Sequence, residues 1–135
     1  MGELSARVDV PADGGGPTMA RRLVVATTVG WGLASLSADA ELVVSELVTN
    51  ALLHAPGTDS FELCIIRQVD GIRLELADGS SIAPMIRELE DGRPGGRGLR
   101  IVQTIAVAWG HDEEGPGKRV WVELGEADPS PEPSG

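Results

Sequence analysis

The sequence predicts an α+β two-layer sandwich, with three main helices on one face of a mixed, mostly antiparallel sheet. Three observations lead there. Period-two alternation marks strands near both ends and a pair in the middle, helical spacing marks the segments between them, and Asp70-Gly71 sits between the middle pair as a hairpin signal. The resulting order, β-α-α-β-β-α-β, lets the helices together cover one face of the sheet, which is a stable two-layer solution.

Taken in order, Leu4 to Val10 alternates apolar and polar residues as a short edge strand does, before the glycine-rich turn Ala12-Asp13-Gly14-Gly15-Gly16. Thr18 to Leu33 reads as a helix with Met19, Leu23, Ala26 and Val29 on one face, and with Gly30 and Gly32 loosening its end. In the second helix Ser37 is the expected cap, with Glu41 one position past the capping-box offset. Leu42, Val43, Leu47, Val48, Ala51, Leu52 and Ala55 form its wide apolar side, and Pro56-Gly57 stops it. Phe61 to Val69 and Ile72 to Ala77 are strand-like runs expected to pair antiparallel through the Asp70-Gly71 turn. A loop rich in glycine, proline and charge then runs from Gly79 to about Arg97, and loops of that length in compact domains are usually functional or mobile. The spacing predicts a helix from Gly98 to Ala108. Lys118 to Leu124 closes the sheet, with Val120, Val122 and Leu124 alternating against Arg119, Trp121 and Glu123.

At 135 residues the chain suits one main domain, residues 17–126, preceded by an edge strand and turn over residues 1–16 and followed by a loose polar tail over residues 127–135. The net charge of −10, from 21 acidic and 11 basic residues, repels phosphodiester backbones, so no nucleic-acid partner is expected. The single cysteine, Cys64, lies in the apolar run Phe61 to Ile66; there is no disulfide framework and no thiolate cluster for a metal, and the usage suits the reducing cytoplasm. No basic segment followed by an apolar stretch opens the sequence, and no apolar run approaches about 18 residues, so neither export nor membrane spanning is expected.

Candidate chemistry gathers on the second helix. Glu46 and Asn50 are four apart and share one face, with Ser45, Thr49 and His54 near the same polar edge. Such a stripe alone is what the wet side of any amphipathic helix shows. Asparagine, however, is a poor helix-interior residue, and Leu47, Val48, Ala51 and Leu52 make this helix apolar enough to be largely buried, which points to a site. A carboxylate there suits a general base acting on a hydroxyl, and an amide oxygen one turn on offers a hard ligand to Mg²⁺. His54, a further turn along, reads as a phosphate contact or as a packed helix-end histidine.

Asp78 ends a strand, with Gly79, Ser80 and Ser81 behind it. That is either an Asx turn or a carboxylate placed to accept from an exocyclic amine such as that of adenine. Gly95-Gly96-Arg97-Gly98-Leu99 opens the last expected helix, where free backbone N–H groups, the positive helix end and the Arg97 guanidinium suit an anion; a flexible lid without a ligand has the same composition. Rossmann and Walker readings fail, because these glycines follow a long loop and no Gly-Lys-Ser or Gly-Lys-Thr occurs.

In order and spacing, Glu46 to Ala55, then Asp78-Gly79-Ser80 with Pro84, then Gly96 to Val102 resemble the three nucleotide boxes of the GHKL ATPases, the Bergerat fold. Within that superfamily the chain resembles the small stand-alone RsbW-like anti-sigma-factor serine/threonine kinases of bacterial partner switching. The likeness includes Ala108-Trp109-Gly110 and Gly117 to Trp121, and covers about residues 18 to 125. The resemblance implies ATP and Mg²⁺ as cofactors. It implies Glu46 as the activating base and Asn50 as the Mg²⁺ ligand. Asp78, with Ser80, would lie at the adenine, His54 near the phosphates, and Gly96, Arg97, Gly98 and Leu99 in the lid over them. As partners it implies an anti-sigma factor antagonist of STAS type, a sigma factor and a second copy of the chain, with the partner surface near Arg21 and Arg22. The pattern departs in three places: Ser80 and Ile82 stand where the middle box has glycines, Leu53 stands where sensor kinases place a basic residue, and Arg119 stands where a threonine is usual. From Arg119 a weakening of adenine binding is expected. The alternative reading is a non-catalytic nucleotide-binding interaction module.

Overall fold

The computed structural model describes residues 4–54, 59–78, 102–114 and 117–125. Strand β1 (Ser5–Pro11) leads to α1 (Gly16–Gly30), a 3-10 turn over Ala34–Leu36, and α2 (Ser37–His54). Then come β2 (Ser60–Gln68), β3 (Gly71–Asp78), a helical stretch over residues 102–105, β4 (Ala108–Glu114) and β5 (Gly117–Gly125). The strands form one five-stranded sheet in the order β1-β2-β3-β5-β4. Every described pairing is antiparallel, in keeping with the α+β fold and mostly antiparallel sheet expected from sequence.

One face of the sheet is apolar and carries the helices. Val10 of β1, Phe61, Leu63 and Ile65 of β2, Ile72, Leu74 and Leu76 of β3, and Val122 and Leu124 of β5 are buried there in one cluster with α1 and α2. Helix α2 contributes Ala40, Val43, Val44, Leu47, Val48 and Ala51, all 1% exposed or less, because it packs on α1, β3 and β5 at once. Leu42 and Leu52, expected on the same side, are only half-buried.

Helix α1 is turned differently from its expected face. Gly16, Ala20, Val24 and Thr28, spaced four apart, are the buried stripe, while Met19 and Val29 are 36% and 55% exposed. Small residues win the contact side because α1 lies close against α2, and the larger apolar side chains are displaced outward. Thr28 joins the interface by donating to Val24 O at 2.7 Å and by sharing a 2.7 Å hydrogen bond with the Ser37 hydroxyl. Ser37 therefore does not cap α2: its backbone is already helical, following directly on the 3-10 turn, and its hydroxyl serves the helix-helix contact. Gly32, at φ 78°, ends α1 in the left-handed conformation, with Leu33 N–H bonding to Thr28 O and Gly32 N–H to Val29 O.

Three further boundaries differ from expectation. Gln68 pairs with Gly71, so the two turn residues are Val69 and Asp70 rather than Asp70-Gly71; neither has positive φ, and Val69 is left 96% exposed. The last helix does not reach Ala108, which already belongs to β4. Strand β4 itself, Ala108–Glu114, was not expected, because Gly110, Asp112, Glu113 and Glu114 break its apolar alternation; it forms by pairing along β5 at the sheet edge, where charge is protective against further strand addition.

The opposite face of the sheet is held by charge. Arg73 bonds Glu75 at 2.6 Å and Glu123 at 2.9 Å, and Arg119 reaches Glu75 at 3.1 Å and Glu62 at 3.6 Å. Burial disfavours the Arg73 charge, but its hydrogen bonds to Glu75 and Glu123 outweigh that, and its pKa is raised. The guanidinium also lies over the Trp121 ring, 4.2 Å from its centre. Gly110, beside Trp121 in register, leaves room for that ring: a Cβ there would stand 2.7 Å from Trp121 Cζ2. Gly110→Ala is expected to lower stability by about 1–3 kcal/mol, read as a lower denaturation midpoint with unchanged slope.

Candidate functional site

Helix α2 sets the site. Its rotation is fixed by Leu47, Val48 and Ala51, and that rotation carries Asn50 inward until it is 1% exposed, with Glu46 half-buried one turn before it. Thr49 and Leu53, which face the other way, are exposed, Leu53 by 64%. Asn50 and Thr28 are the two buried polar residues among those described, and their circumstances differ. The Thr28 hydroxyl is satisfied within the protein. Asn50 Nδ2 donates to Glu46 O at 2.9 Å, but Asn50 Oδ1 is buried with no hydrogen-bond partner among the described residues. A buried carbonyl oxygen left so costs about 1–3 kcal/mol, and such groups in folded proteins call for an explanation, an ion or ligand among them. A hard neutral oxygen of this kind suits a divalent cation that prefers oxygen ligands.

The topology brings Asp78 to the same end. Asp78 is the last residue of β3 and pairs with Lys118 near the start of β5, beside the start of β2, which follows the C-terminus of α2 in the chain. The C-terminal half of α2 and the Asp78 backbone therefore share one end of the molecule. His54 is the final residue of α2. The side chains of His54 and Asp78 are outside the described residues, as are Ser80, Gly96, Arg97, Gly98 and Leu99, the loop over residues 79–97 and the tail over residues 127–135.

Ser45 belongs to the α1 contact. Arg21 donates to its hydroxyl at 3.1 Å and to Thr18 Oγ1 at 3.1 Å, so Arg21 is engaged within the protein, whereas Arg22 is exposed. Arg119 lies on the outer face of the sheet. Its neighbours Val120 and Val122 face the helices, and Arg119 itself faces the other side of the sheet with Glu75 and Glu62. That register turns Arg119 away from α2. His111 Nδ1 is the other buried side-chain atom without a partner among the described residues, and it lies on β4, a strand not expected from sequence.

An antiparallel sheet covered on one face by helices, with a carboxylate and an inward-turned amide on the central helix, is the plan of a GHKL-type nucleotide-binding domain. Family comparison agrees, for the histidine kinase-like ATPase domain matches residues 17–124, most of the chain. The protein belongs to that family and is an ATP-binding domain. No match was found among curated proteins. Strand β1 lies outside the matched stretch yet pairs with β2 as part of the same sheet. Among the described residues no helix is long and apolar enough to cross a membrane.

Two outcomes are expected here. Asn50→Leu should weaken ATP binding at least about ten-fold by titration calorimetry while changing unfolding free energy by less than about 1 kcal/mol, because it removes an unpartnered oxygen at nearly constant volume. Arg119→Thr should do the reverse, lowering the denaturation midpoint through lost ion pairs while ATP affinity stays within about a factor of three.

Proposed function

We propose that the protein is a Mg-ATP-dependent serine/threonine kinase that phosphorylates an anti-sigma factor antagonist of STAS type and also binds a sigma factor in bacterial partner switching. The observation that supports this reading most is the buried, unpartnered Asn50 Oδ1 one helical turn from the Glu46 carboxylate. Asn50 Oδ1 would hold Mg²⁺, which neutralises charge on the phosphates when bound. Glu46 would accept the proton of the seryl or threonyl hydroxyl as its oxygen bonds to the γ-phosphorus and the bond to the leaving ADP oxygen breaks. Asp78 would accept from the adenine amine. Because little covalent work falls to the protein in such a transfer, positioning by α2 carries most of the rate.

Partner docking falls on α1 in this reading. Its outward side carries the exposed Arg22 with the exposed Met19 and Val29, a cation among apolar side chains suited to an amphipathic protein surface. The alternative, a nucleotide-binding interaction module without transfer, rests on Ser80 and Ile82 standing where glycines complete the middle box.

Titration calorimetry with ATP and with ADP, each with and without Mg²⁺, is the first test; binding that weakens when Mg²⁺ is withdrawn is expected. The second uses γ-labelled ATP and a STAS-domain protein of the same organism. Label should pass to one serine or threonine, and Glu46→Gln should abolish transfer at unchanged ATP affinity. Binding without transfer to any such protein would leave the interaction module.

A further inference from the structure

Strand β4 runs along the edge of the sheet with Trp109 opposite Val122 and His111 opposite Val120. Residues directly opposite in an antiparallel pair point to the same face. Val122 is buried in the core and Val120 packs against it, so His111 faces the helix-covered side, as Trp109 does. Gly110 and Trp121, between them, occupy the other face. His111 is thus on the side of the sheet where α2 lies, although sequence alone gave β4 no place.

Its position along the sheet is also fixed. Val120 pairs with Leu76, and two residues further on Lys118 pairs with Asp78, the end shared with the C-terminal half of α2. With strands about 4.8 Å apart and a rise of about 3.4 Å per residue, His111 and Asp78 are separated by about 12 Å across that end. The two side-chain atoms that are buried without a hydrogen-bond partner among the described residues are Asn50 Oδ1 and His111 Nδ1. One comes from α2 and one from the helix-covered side of the sheet.

We infer that His111 is a second protein contact of the nucleotide site, with Nδ1 forming a hydrogen bond to the bound nucleotide directly or through one ordered water. The inference rests on the nucleotide-binding reading of the family and extends it to a residue on the sheet edge. A neutral imidazole nitrogen serves as donor or acceptor according to its tautomer, so it suits a ribose hydroxyl, a phosphate oxygen or a bridging water. The role is positioning: His111 would set where the nucleotide lies against β5, leaving the transferred proton to Glu46.

The test combines ADP titrations of the full chain with ¹⁵N resonances of the His111 imidazole, recorded without nucleotide and at saturation. Expected are a displaced Nδ1 resonance on ADP binding, an affinity about five- to ten-fold weaker in His111→Leu, and recovery of most of it in His111→Asn, whose amide reaches the Nδ1 position. His111→Leu should also leave the Tm of the nucleotide-free protein unchanged or raised, since it removes a buried unpartnered atom. An Nδ1 resonance unmoved at ADP saturation, or equal affinities in wild type and His111→Leu, would overturn the inference while leaving nucleotide binding intact. Absence of ADP binding in the wild type would overturn both.

Discussion

The packing of α2 between α1 and the sheet is the contact on which the rest of the molecule depends. Six of its apolar side chains are essentially removed from water, and burial of each valine or leucine among them is worth about 1.5–3 kcal/mol relative to exposure. No other rotation of the helix would bury Val44, Leu47, Val48 and Ala51 together. That same rotation takes Asn50 into the interior, where a polar group without a partner is a cost rather than a gain. Stability and site are thus coupled through one helix: the apolar side chains hold in place an amide that contributes little to folding.

The two faces of the sheet are stabilised by different means. Against the helices the sheet is sealed by side-chain packing, whereas the outer face has no second helical layer among the described elements and is covered by its own long charged side chains. Exposed ion pairs are individually weak, about 0–1 kcal/mol. Here Glu75 is shared by Arg73 and Arg119, and Arg73 also spans to Glu123 and lies over Trp121, so the groups shield one another and the apolar parts beneath them. The arginine at position 119 is thus part of the architecture of the outer face.

Much of this was legible in the sequence. Strands β1, β2, β3 and β5 and helix α2 fall within a residue or two of where alternation and helical spacing put them, since their patterns report burial on one side. The burial of Asn50 beside a half-buried Glu46 was legible too, because the flanking Leu47, Val48 and Ala51 make the helix apolar enough to be turned inward. Helix α1 was misread because the rule that large apolar side chains face inward fails where two helix backbones approach closely; the buried Gly16-Ala20-Val24-Thr28 stripe is the signature of that approach. Strand β4 was illegible because its pairing partner, not its own pattern, makes it a strand. The Glu114-Gly115-Pro116-Gly117 turn signal before β5 was the available clue.

The strand order has a kinetic meaning as well. The β2-β3 and β4-β5 pairs are each joined through short connections, so their ends meet with little loss of chain entropy, and each hairpin can form locally. The β3-β5 pairing is different: Asp78 and Lys118 are neighbours in the sheet although they are far apart in the chain. Contacts of that separation are made late and slowly. The seam between β3 and β5, like the pairing that brings Ser5 of β1 to Ile66 of β2, is therefore a long-range closure that follows the two local hairpins rather than preceding them.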